Sequence, residues 1–225
     1  DMALTEAVKA MKENYGNPSS KHLKGLQAEN VLDESRKAIA KTLNCDSKEI
    51  FFTSGGTESN NISIFGTTSS RKRLGNRVVT TYIEHSSVLG AMEKLEKQGF
   101  EVVYLKPNKY GMVSSSQLAN VIDRKTILVS LMFVNNEIGS FMPINGVKNI
   151  IKLKKSPAIF HCDAVQAFGK IPINVKTLGI DLLSMSAHKI HGPKGVGALY
   201  VRSGVRILPF LIGGHQENGL RAGTE

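Results

Sequence analysis

The chain has 225 residues, of which 41% are hydrophobic and 21% charged, and its formal net charge is +10. This ordinary globular composition excludes wholesale disorder, collagen and coiled coil, and no run of about 18 apolar residues suggests a membrane-spanning helix. The two cysteines, Cys45 and Cys162, cannot form a disulfide framework. The first residues lack the basic and apolar segments of a signal peptide. We therefore expect a soluble, cytoplasmic protein.

The excess of 29 Lys and Arg over 19 Asp and Glu leaves a binding role open. A positively charged surface could bind nucleic acid, an acidic protein or a small anionic ligand. The basic residues are dispersed, and the densest groups are residues 71–73 and 152–155. Because the chain has no Trp and only 6% aromatic residues, it does not suggest a platform for stacking bases. Nucleic-acid binding is therefore not expected to be the main role.

Helix-like and strand-like segments alternate along the chain. A first helix is predicted over residues 4–14, with Leu4, Val8 and Met11 on one face and Gly16 as its stop. A longer helix ends near Leu43, and further helix-length segments cover residues 87–98, 116–122 and 146–154. Strands are predicted at residues 50–53, 77–81, 101–105, 126–131, 158–162, 182–185 and 198–201.

Apolar strands separated by helices indicate the α/β class. We predict a three-layer α/β/α sandwich with a mixed, mostly parallel sheet of about seven strands. The connection between residues 185 and 198 is too short for a crossover helix, so the last two strands should pair antiparallel. Sheets of this kind bind ligands beyond the carboxyl ends of their strands, so the functional residues are expected in the loops there.

The first candidate site is the run Thr-Ser-Gly-Gly-Thr-Glu-Ser-Asn at residues 53–60. Its glycines permit an unusual backbone path, and the N–H groups at a helix start would suit a phosphate near Gly56 and Thr57. The structural alternative is a tight turn whose helix is capped by the Thr57 side chain. Taken alone, the run favours this alternative, because short glycine-rich turns are common.

Two further strand ends carry reactive side chains. Asp163 follows an apolar strand, where it could pair with a protonated ring nitrogen or cap a helix. Ser186, His188 and Lys189 follow the next strand. A lysine held against apolar or cationic groups can form a Schiff base with an aldehyde, and the hydroxyl and imidazole could contact a phosphate. The alternative for this run is a solvated turn.

His85 and residues 135–137 complete the set of candidates. The His85 ring could stack on a flat cofactor, although a lone histidine is more often structural, and Asn135 and Asn136 offer amides to a ligand. Metal-ligand spacings and a serine-hydrolase elbow are absent, so no metal is expected. A phosphate site, an acid for a ring nitrogen, a flat partner and an amine are together what pyridoxal 5′-phosphate (PLP) requires.

These residues lie in motifs that resemble those of the cysteine desulfurases, PLP enzymes of the class V aminotransferase group with the type I transferase fold. The motifs occur in the family order and cover nearly the whole chain: residues 16–20, 53–60, 134–139, 163–166, 186–189 and 221–225.

The resemblance implies a role for each matching residue. Lys189 would bind PLP covalently, Asp163 would pair with the ring nitrogen, and His85 would stack on the ring and transfer protons. Gln166 would contact the phenolic oxygen of PLP, and Asn135 would lie near that oxygen and the substrate carboxylate. The phosphate would be bound by Gly56, Thr57, Ser186 and His188. Thr224 would contact the phosphate bound by a neighbouring subunit.

The implied reaction takes sulfur from L-cysteine and leaves L-alanine and an enzyme persulfide. The sulfur would serve iron–sulfur cluster assembly or the thiolation of cofactors and tRNA, and the implied partners are sulfur-acceptor or scaffold proteins and a second copy in a homodimer. Residues 1–225 would form the PLP-binding large domain. The family's first strand and its small domain, with the persulfide cysteine and a substrate-binding arginine, are expected outside this chain. Neither Cys45 nor Cys162 occupies the position of that cysteine.

Two other functions stay open at this point. A selenocysteine lyase or another class V aminotransferase would share the lysine, the aspartate and the phosphate loop. A basic binding module for RNA or acidic proteins would instead use the positive surface, including Arg202 and Arg206.

Overall fold

The protein is described by a computed structural model over residues 2–224; Asp1 and Glu225, which begin and end the predicted domain, lie outside the described residues. Its strands are β1 (Ile50–Thr53), β2 (Arg77–Thr81), β3 (Glu101–Leu105), β4 (Thr126–Met132), β5 (Ile159–Asp163), β6 (Leu182–Ser186) and β7 (Gly197–Val201). They form one sheet in the order β1-β7-β6-β5-β4-β2-β3.

The direction of the strands brings most of their carboxyl ends to one edge. The pairs β3–β2, β2–β4, β4–β5 and β5–β6 are parallel, and β7 is antiparallel to both β6 and β1. Because β7 reverses the direction on both sides, β1 runs the same way as β6. The predicted mixed, mostly parallel sheet is confirmed, including the antiparallel pairing of the last two strands.

Helices cover both faces of the sheet. They are α1 (Met2–Glu13), α2 (Leu23–Leu43), α3 (Gly56–Arg71), α4 (Ser86–Lys97), α5 (Ser115–Val121), α6 (Val147–Leu153) and α7 (Val175–Leu178). One core contains Ile62 of α3 and Met92 of α4. The other contains Leu43 of α2 and Val147 of α6. Each of the seven strands contributes apolar residues to both cores, which confirms the three-layer α/β/α sandwich.

Two helices differ from the prediction. The expected apolar face of α1 exists, but no residue of α1 is buried, and Leu4 and Met11 are 63% and 70% exposed. Periodicity identifies a face without identifying what packs on it. The short α7 was not predicted, because four residues are too few for a periodic pattern. Among residues 2–224, none of the helices has the length and hydropathy that a membrane span requires.

A buried histidine lies in the sheet below the site described next. His161 of β5 is inaccessible to solvent, and its two ring nitrogens are 2.8 Å from Ser130 Oγ and 2.9 Å from Ser184 Oγ. Burial lowers the pKa of His161 from 6.5 to about 3. The imidazole is therefore neutral in the folded protein, and the two serines satisfy its hydrogen bonds.

This histidine should make stability depend on pH. Between about pH 3 and pH 6.5 the unfolded chain binds a proton at His161 that the folded chain excludes, so His161 destabilises the fold as the pH falls. The expected difference from His161→Gln, whose amide can still bond both serines, is up to about 1.4 kcal/mol per pH unit. Urea unfolding of both proteins at several pH values measures it. Parallel pH profiles would show that His161 is not held neutral.

Candidate active site

A cavity of about 210 Å³ opens at the edge of the sheet where the carboxyl ends of β1, β2, β4, β5 and β6 meet. Eight of the ten predicted site residues line it: Gly56, Thr57, His85, Asp163, Gln166, Ser186, His188 and Lys189. These residues are distant in sequence, and the parallel strands bring them together. The edge predicted to carry the functional loops is therefore the edge at which the cavity lies.

One end of the cavity suits a phosphate. Helix α3 begins at Gly56 with Gly55 as its N-cap, and no side chain caps it, so the predicted cap by Thr57 is wrong. A Cβ atom on Gly56 would lie 2.5 Å from Val165 Cγ2, so only glycine permits this close approach. Ser186 Oγ lies 2.8 Å from His188 Nδ1 on the same wall. Uncapped helix N–H groups, a hydroxyl and an imidazole therefore meet here.

A buried carboxyl group lies in another wall. Asp163 is 5% exposed, its Oδ1 accepts a hydrogen bond from Val165 N (3.0 Å), and its Oδ2 accepts one from Asn60 Nδ2 (2.8 Å). Burial raises the pKa of Asp163, and these two hydrogen bonds oppose the increase. No ion pair joins Asp163 to a lysine or arginine among residues 2–224. A cationic nitrogen in the cavity would supply the missing charge partner.

A short hydrogen-bond chain connects this carboxyl group to His85. The two hydrogens of Asn60 Nδ2 point to Asp163 Oδ2 and to Ser87 Oγ (2.9 Å), and Ser87 Oγ lies 2.8 Å from His85 Nδ1. His85 Nδ1 also accepts the backbone N–H of Ser87 as the N-cap of α4. Because Nδ1 is an acceptor, the neutral ring carries its proton on Nε2. His85 thus has a structural role and also lines the cavity; its stacking role stays a prediction.

Lys189 contributes an amine to the cavity. It lies in the 3₁₀ helix Ala187–Ile190, directly after β6, and its Nζ has no hydrogen bond or ion pair within the part of the chain that the structure describes. The neighbouring lining residue Gln166 accepts a hydrogen bond from Lys170 Nζ (3.0 Å). The Lys189 amine is therefore available to a ligand, and Gln166 keeps its amide N–H groups for one.

Two predicted residues do not line the cavity. Asn135 is buried in the turn after β4, where its Nδ2 donates to Ile83 O and its Oδ1 accepts from the backbone N–H groups of Glu137 and Ile138. The adjacent Asn136 lines the cavity instead. Thr224 is exposed, and its predicted contact with a second subunit stays a prediction.

Five lining residues were not assigned a role from sequence: Asn60, Ser87, Met132, Val134 and Val165. A signal for Asn60 existed, because it lies one helical turn after Gly56 and so shares its face of α3. The position of Ser87 beside His85 offered no comparable signal. Its contact with Asn60 depends on how α3 and α4 pack together.

Neither cysteine is activated. Burial raises the pKa of Cys45 to about 12, and it also raises the pKa of the inaccessible Cys162. Both thiols are therefore protonated at neutral pH and are poor nucleophiles. Within residues 2–224 there is also no group of three or more His, Cys, Asp or Glu that could hold a metal ion.

The cavity fits PLP on three independent observations. The start of α3 at Gly56 has N–H groups that no side chain caps, the buried Asp163 carboxyl lacks a cation, and the Lys189 amine lacks a partner among residues 2–224. Phosphate, pyridinium nitrogen and aldehyde are the three PLP groups that match these features. His85 and Gln166 line the same cavity.

Comparison with known proteins gives consistent matches. The chain is 51% identical over 215 residues to a cysteine desulfurase IscS of Methanosarcina thermophila, covering 96% of this chain and 53% of that protein. It is 48% identical to one of Dictyoglomus turgidum, covering 98% of this chain and 56% of that protein. The chain thus spans about half the length of these relatives.

Solved structures share the fold along the whole chain. A NifS-like protein superposes with a TM-score of 0.97 at 42% identity, and SspA in complex with cysteine superposes with a TM-score of 0.95 at 39% identity. The chain is covered completely in both cases and accounts for 62% and 65% of those chains. The model of the aminotransferase class-V family matches residues 2–224, so the chain belongs to this family of PLP-dependent enzymes.

Proposed function

We propose that the full-length protein is a PLP-dependent cysteine desulfurase, which converts L-cysteine to L-alanine and passes the sulfur to a protein thiol. The main support is the cavity in which the Lys189 amine, the Asp163 carboxyl and the Gly56 helix start meet. The names of the relatives support the activity, and the cysteine complex of the similar SspA supports the choice of substrate.

Each of the residues that line the cavity would have its own role in binding PLP or in the reaction. PLP, when bound, supplies an aldehyde for an amine and a ring that accepts electrons. Asp163 would hold the ring nitrogen in its cationic form, because a buried carboxylate is stabilised by an opposite charge. Gly56, Thr57, Ser186 and His188 would bind the phosphate and fix its orientation. The Lys189 amine would hold the aldehyde carbon and later accept or return a proton.

His85 is the second group able to move a proton. Its Nδ1 accepts hydrogen bonds from Ser87, so only Nε2 remains to exchange a proton with a ligand. The chain from Asp163 through Asn60 to Ser87 fixes the orientation of the ring. We infer that His85 assists the proton transfers at the substrate and packs against PLP.

The wider properties are inferred from the family resemblance. We infer a homodimer, a cytoplasmic location, and transfer of sulfur to acceptor or scaffold proteins of iron–sulfur assembly or thiolation pathways. Two free cysteines agree with a reducing compartment. Both basic residues considered for docking, Arg202 and Arg206, are exposed, and Arg202 also pairs with the buried Asp181 (2.7 Å).

Replacement of Lys189 by alanine tests the proposal. In the full-length protein, Lys189→Ala is expected to abolish both the visible absorbance of bound PLP and the formation of alanine from cysteine. Borohydride reduction of the wild type should fix a pyridoxyl group on Lys189, identified by peptide mass spectrometry. Lys194→Ala, which changes an exposed lysine outside the cavity lining, should retain both signals.

Two results would contradict the proposal. Alanine formation that survives in Lys189→Ala would remove Lys189 from the reaction. Rapid release of selenide from selenocysteine, with no turnover of cysteine by the wild type, would identify a selenocysteine lyase instead.

A further inference from the structure

Glu84 has a buried carboxyl group to which the proposed reaction assigns no role. It lies in the loop between β2 and α4, immediately before His85, and it is 5% exposed. Its Oε1 accepts hydrogen bonds from Thr81 Oγ1 (2.8 Å) and Met132 N (3.0 Å). Its Oε2 is buried and has no hydrogen-bond partner among residues 2–224.

This carboxyl group joins the ends of β2 and β4 beyond the point where the sheet pairs them. The pairing of β2 with β4 ends at Val79 and Val129, before Thr81 and Met132 are reached. Beyond that point, Oε1 of Glu84 bridges the last residues of both strands. Since Met132 and His85 both line the cavity, Glu84 fixes the positions of two parts of the cavity wall relative to each other.

The hydrogen bonds indicate where a proton is held. Asp163 accepts one N–H donor on each of its two oxygens, whereas Glu84 has both donors on a single oxygen. No ion pair joins Glu84 to a cation in the described chain. An ionised Glu84 would therefore leave a buried, unpartnered oxygen with a negative charge, which is costly.

Several groups around Glu84 affect the pKa of its carboxyl. Asp163 and the Cys162 thiol interact with it electrostatically from β5, and His85 follows it in its own loop. Burial raises the pKa of Glu84 to about 8; the hydrogen bonds from Met132 and Thr81 oppose the increase, and the Asp163 charge adds to it. Two buried carboxyls that interact share their charge unequally. Hydrogen-bond donors on both oxygens of Asp163, against donors on one oxygen of Glu84, favour the negative charge on Asp163 and the proton on Glu84.

We propose that Glu84 is a positioning residue that works as a neutral carboxylic acid, holding the His85 loop against the end of β4 without placing a second negative charge beside Asp163. The neutral state is a property of this chain and requires no cofactor. The consequence for PLP, that the wall presenting His85 is correctly placed, rests on the proposed function.

The protonation state is tested by unfolding at several pH values. From about pH 4.5 to pH 8 the unfolded chain loses a proton that folded Glu84 keeps, so raising the pH favours unfolding. The wild-type unfolding constant should rise relative to that of Glu84→Gln by up to about tenfold per pH unit. Glu93→Gln, which changes an exposed glutamate of α4, should follow the wild type. Equal slopes in wild type and Glu84→Gln would overturn the neutral state.

A measurement on the wild type covers the case in which Glu84→Gln does not fold. Carbon-13 NMR of the glutamate carboxyls should find one group that titrates near pH 8 in the folded protein. Titration of every glutamate below about pH 6 would overturn the assignment.

The positioning role is tested by PLP affinity at neutral pH. Glu84→Gln keeps an oxygen for Thr81 and Met132, so its dissociation constant for PLP should stay near the wild-type value. Glu84→Ala should weaken binding roughly tenfold, because both donors lose their acceptor. Equal affinities in all three proteins would exclude the positioning role. A wild type that titrates near pH 8 and binds no PLP would overturn the proposed function while leaving the neutral state intact.

Discussion

Replacing Asp163 by asparagine is expected to weaken PLP binding by about a hundredfold or more. Loss of one partner from a buried ion pair costs about 3–5 kcal/mol, and each 1.4 kcal/mol corresponds to about a tenfold change. Asp163 is the buried carboxyl of the cavity that two hydrogen bonds hold in place without a cation. The turnover of cysteine should fall further, since the neutral amide cannot stabilise a protonated ring nitrogen.

Asparagine is the informative replacement because the fold can accept it. The Nδ2 donor of the new asparagine would face Asn60 Nδ2, which is also a donor. Asn60 Oδ1, however, is buried and has no hydrogen-bond partner among the described residues. A flip of the Asn60 amide would then restore the hydrogen bond with the roles of donor and acceptor reversed. The variant should therefore unfold within about 1 kcal/mol of the wild type.

The measurement is a PLP titration followed by visible absorbance, together with urea unfolding of the PLP-free protein. Reduced PLP affinity with unchanged stability is the expected combination. Asp163→Asn with wild-type affinity for PLP would show that this carboxyl does not hold the ring.

The largest expected loss of stability follows replacement of Glu217 by alanine. Glu217 is 4% exposed, and its two oxygens each lie 2.6 Å from a guanidinium nitrogen of Arg36. Oε2 also accepts the backbone N–H of Phe52 at 2.9 Å. One side chain thus joins the 3₁₀ helix Gln216–Gly219 to α2 and β1. Its removal leaves the Arg36 charge partly buried, which costs about 3–5 kcal/mol.

Backbone strain adds to this expectation. Glu217 has φ = 47° and ψ = 43°, a left-handed conformation that non-glycine residues seldom adopt. The Arg36 and Phe52 contacts hold the backbone in that state, so the last segment should detach when they are removed. The loop before Arg221, which itself pairs with Glu58 of α3, would become mobile.

Urea unfolding of Glu217→Ala and Glu34→Ala provides the comparison. Glu34 also pairs with a basic residue, Lys37, but both side chains are exposed to solvent, so its loss should change the stability far less than the loss of Glu217. Similar losses in the two variants would mean that burial of the Arg36–Glu217 pair contributes nothing.

The strands were predicted more accurately than the helices, for a physical reason. Each of the seven strands lies within one residue of its predicted bounds at either end, because β-branched and apolar runs flanked by polar loops are visible locally. The antiparallel β7 followed from the length of one connection. The exposure of α1 was not predictable, because the number and identity of its neighbours are tertiary properties.

The site residues show the same difference between positions with a local sequence signal and positions that depend on tertiary structure. Asp163, Ser186 and Lys189 were found because they lie at or just after the carboxyl ends of strands, and these ends meet at one edge of the sheet. Asn135 was a different case: the motif identified the turn, but the hydrogen bonds of the turn use its side chain and leave Asn136 in the cavity. Glu84 was missed because burial of a carboxyl group depends on what surrounds it in three dimensions.

Two buried groups, His161 and Glu84, have opposite consequences for the proton balance of folding. Between about pH 4.5 and pH 6.5, unfolding takes up a proton at His161 and releases one at Glu84, so this pair exchanges no net proton. More acidic solution leaves only the uptake, and more alkaline solution, up to about pH 8, leaves only the release. The pair therefore gives the fold a stability plateau in mildly acidic solution, with a decline on either side.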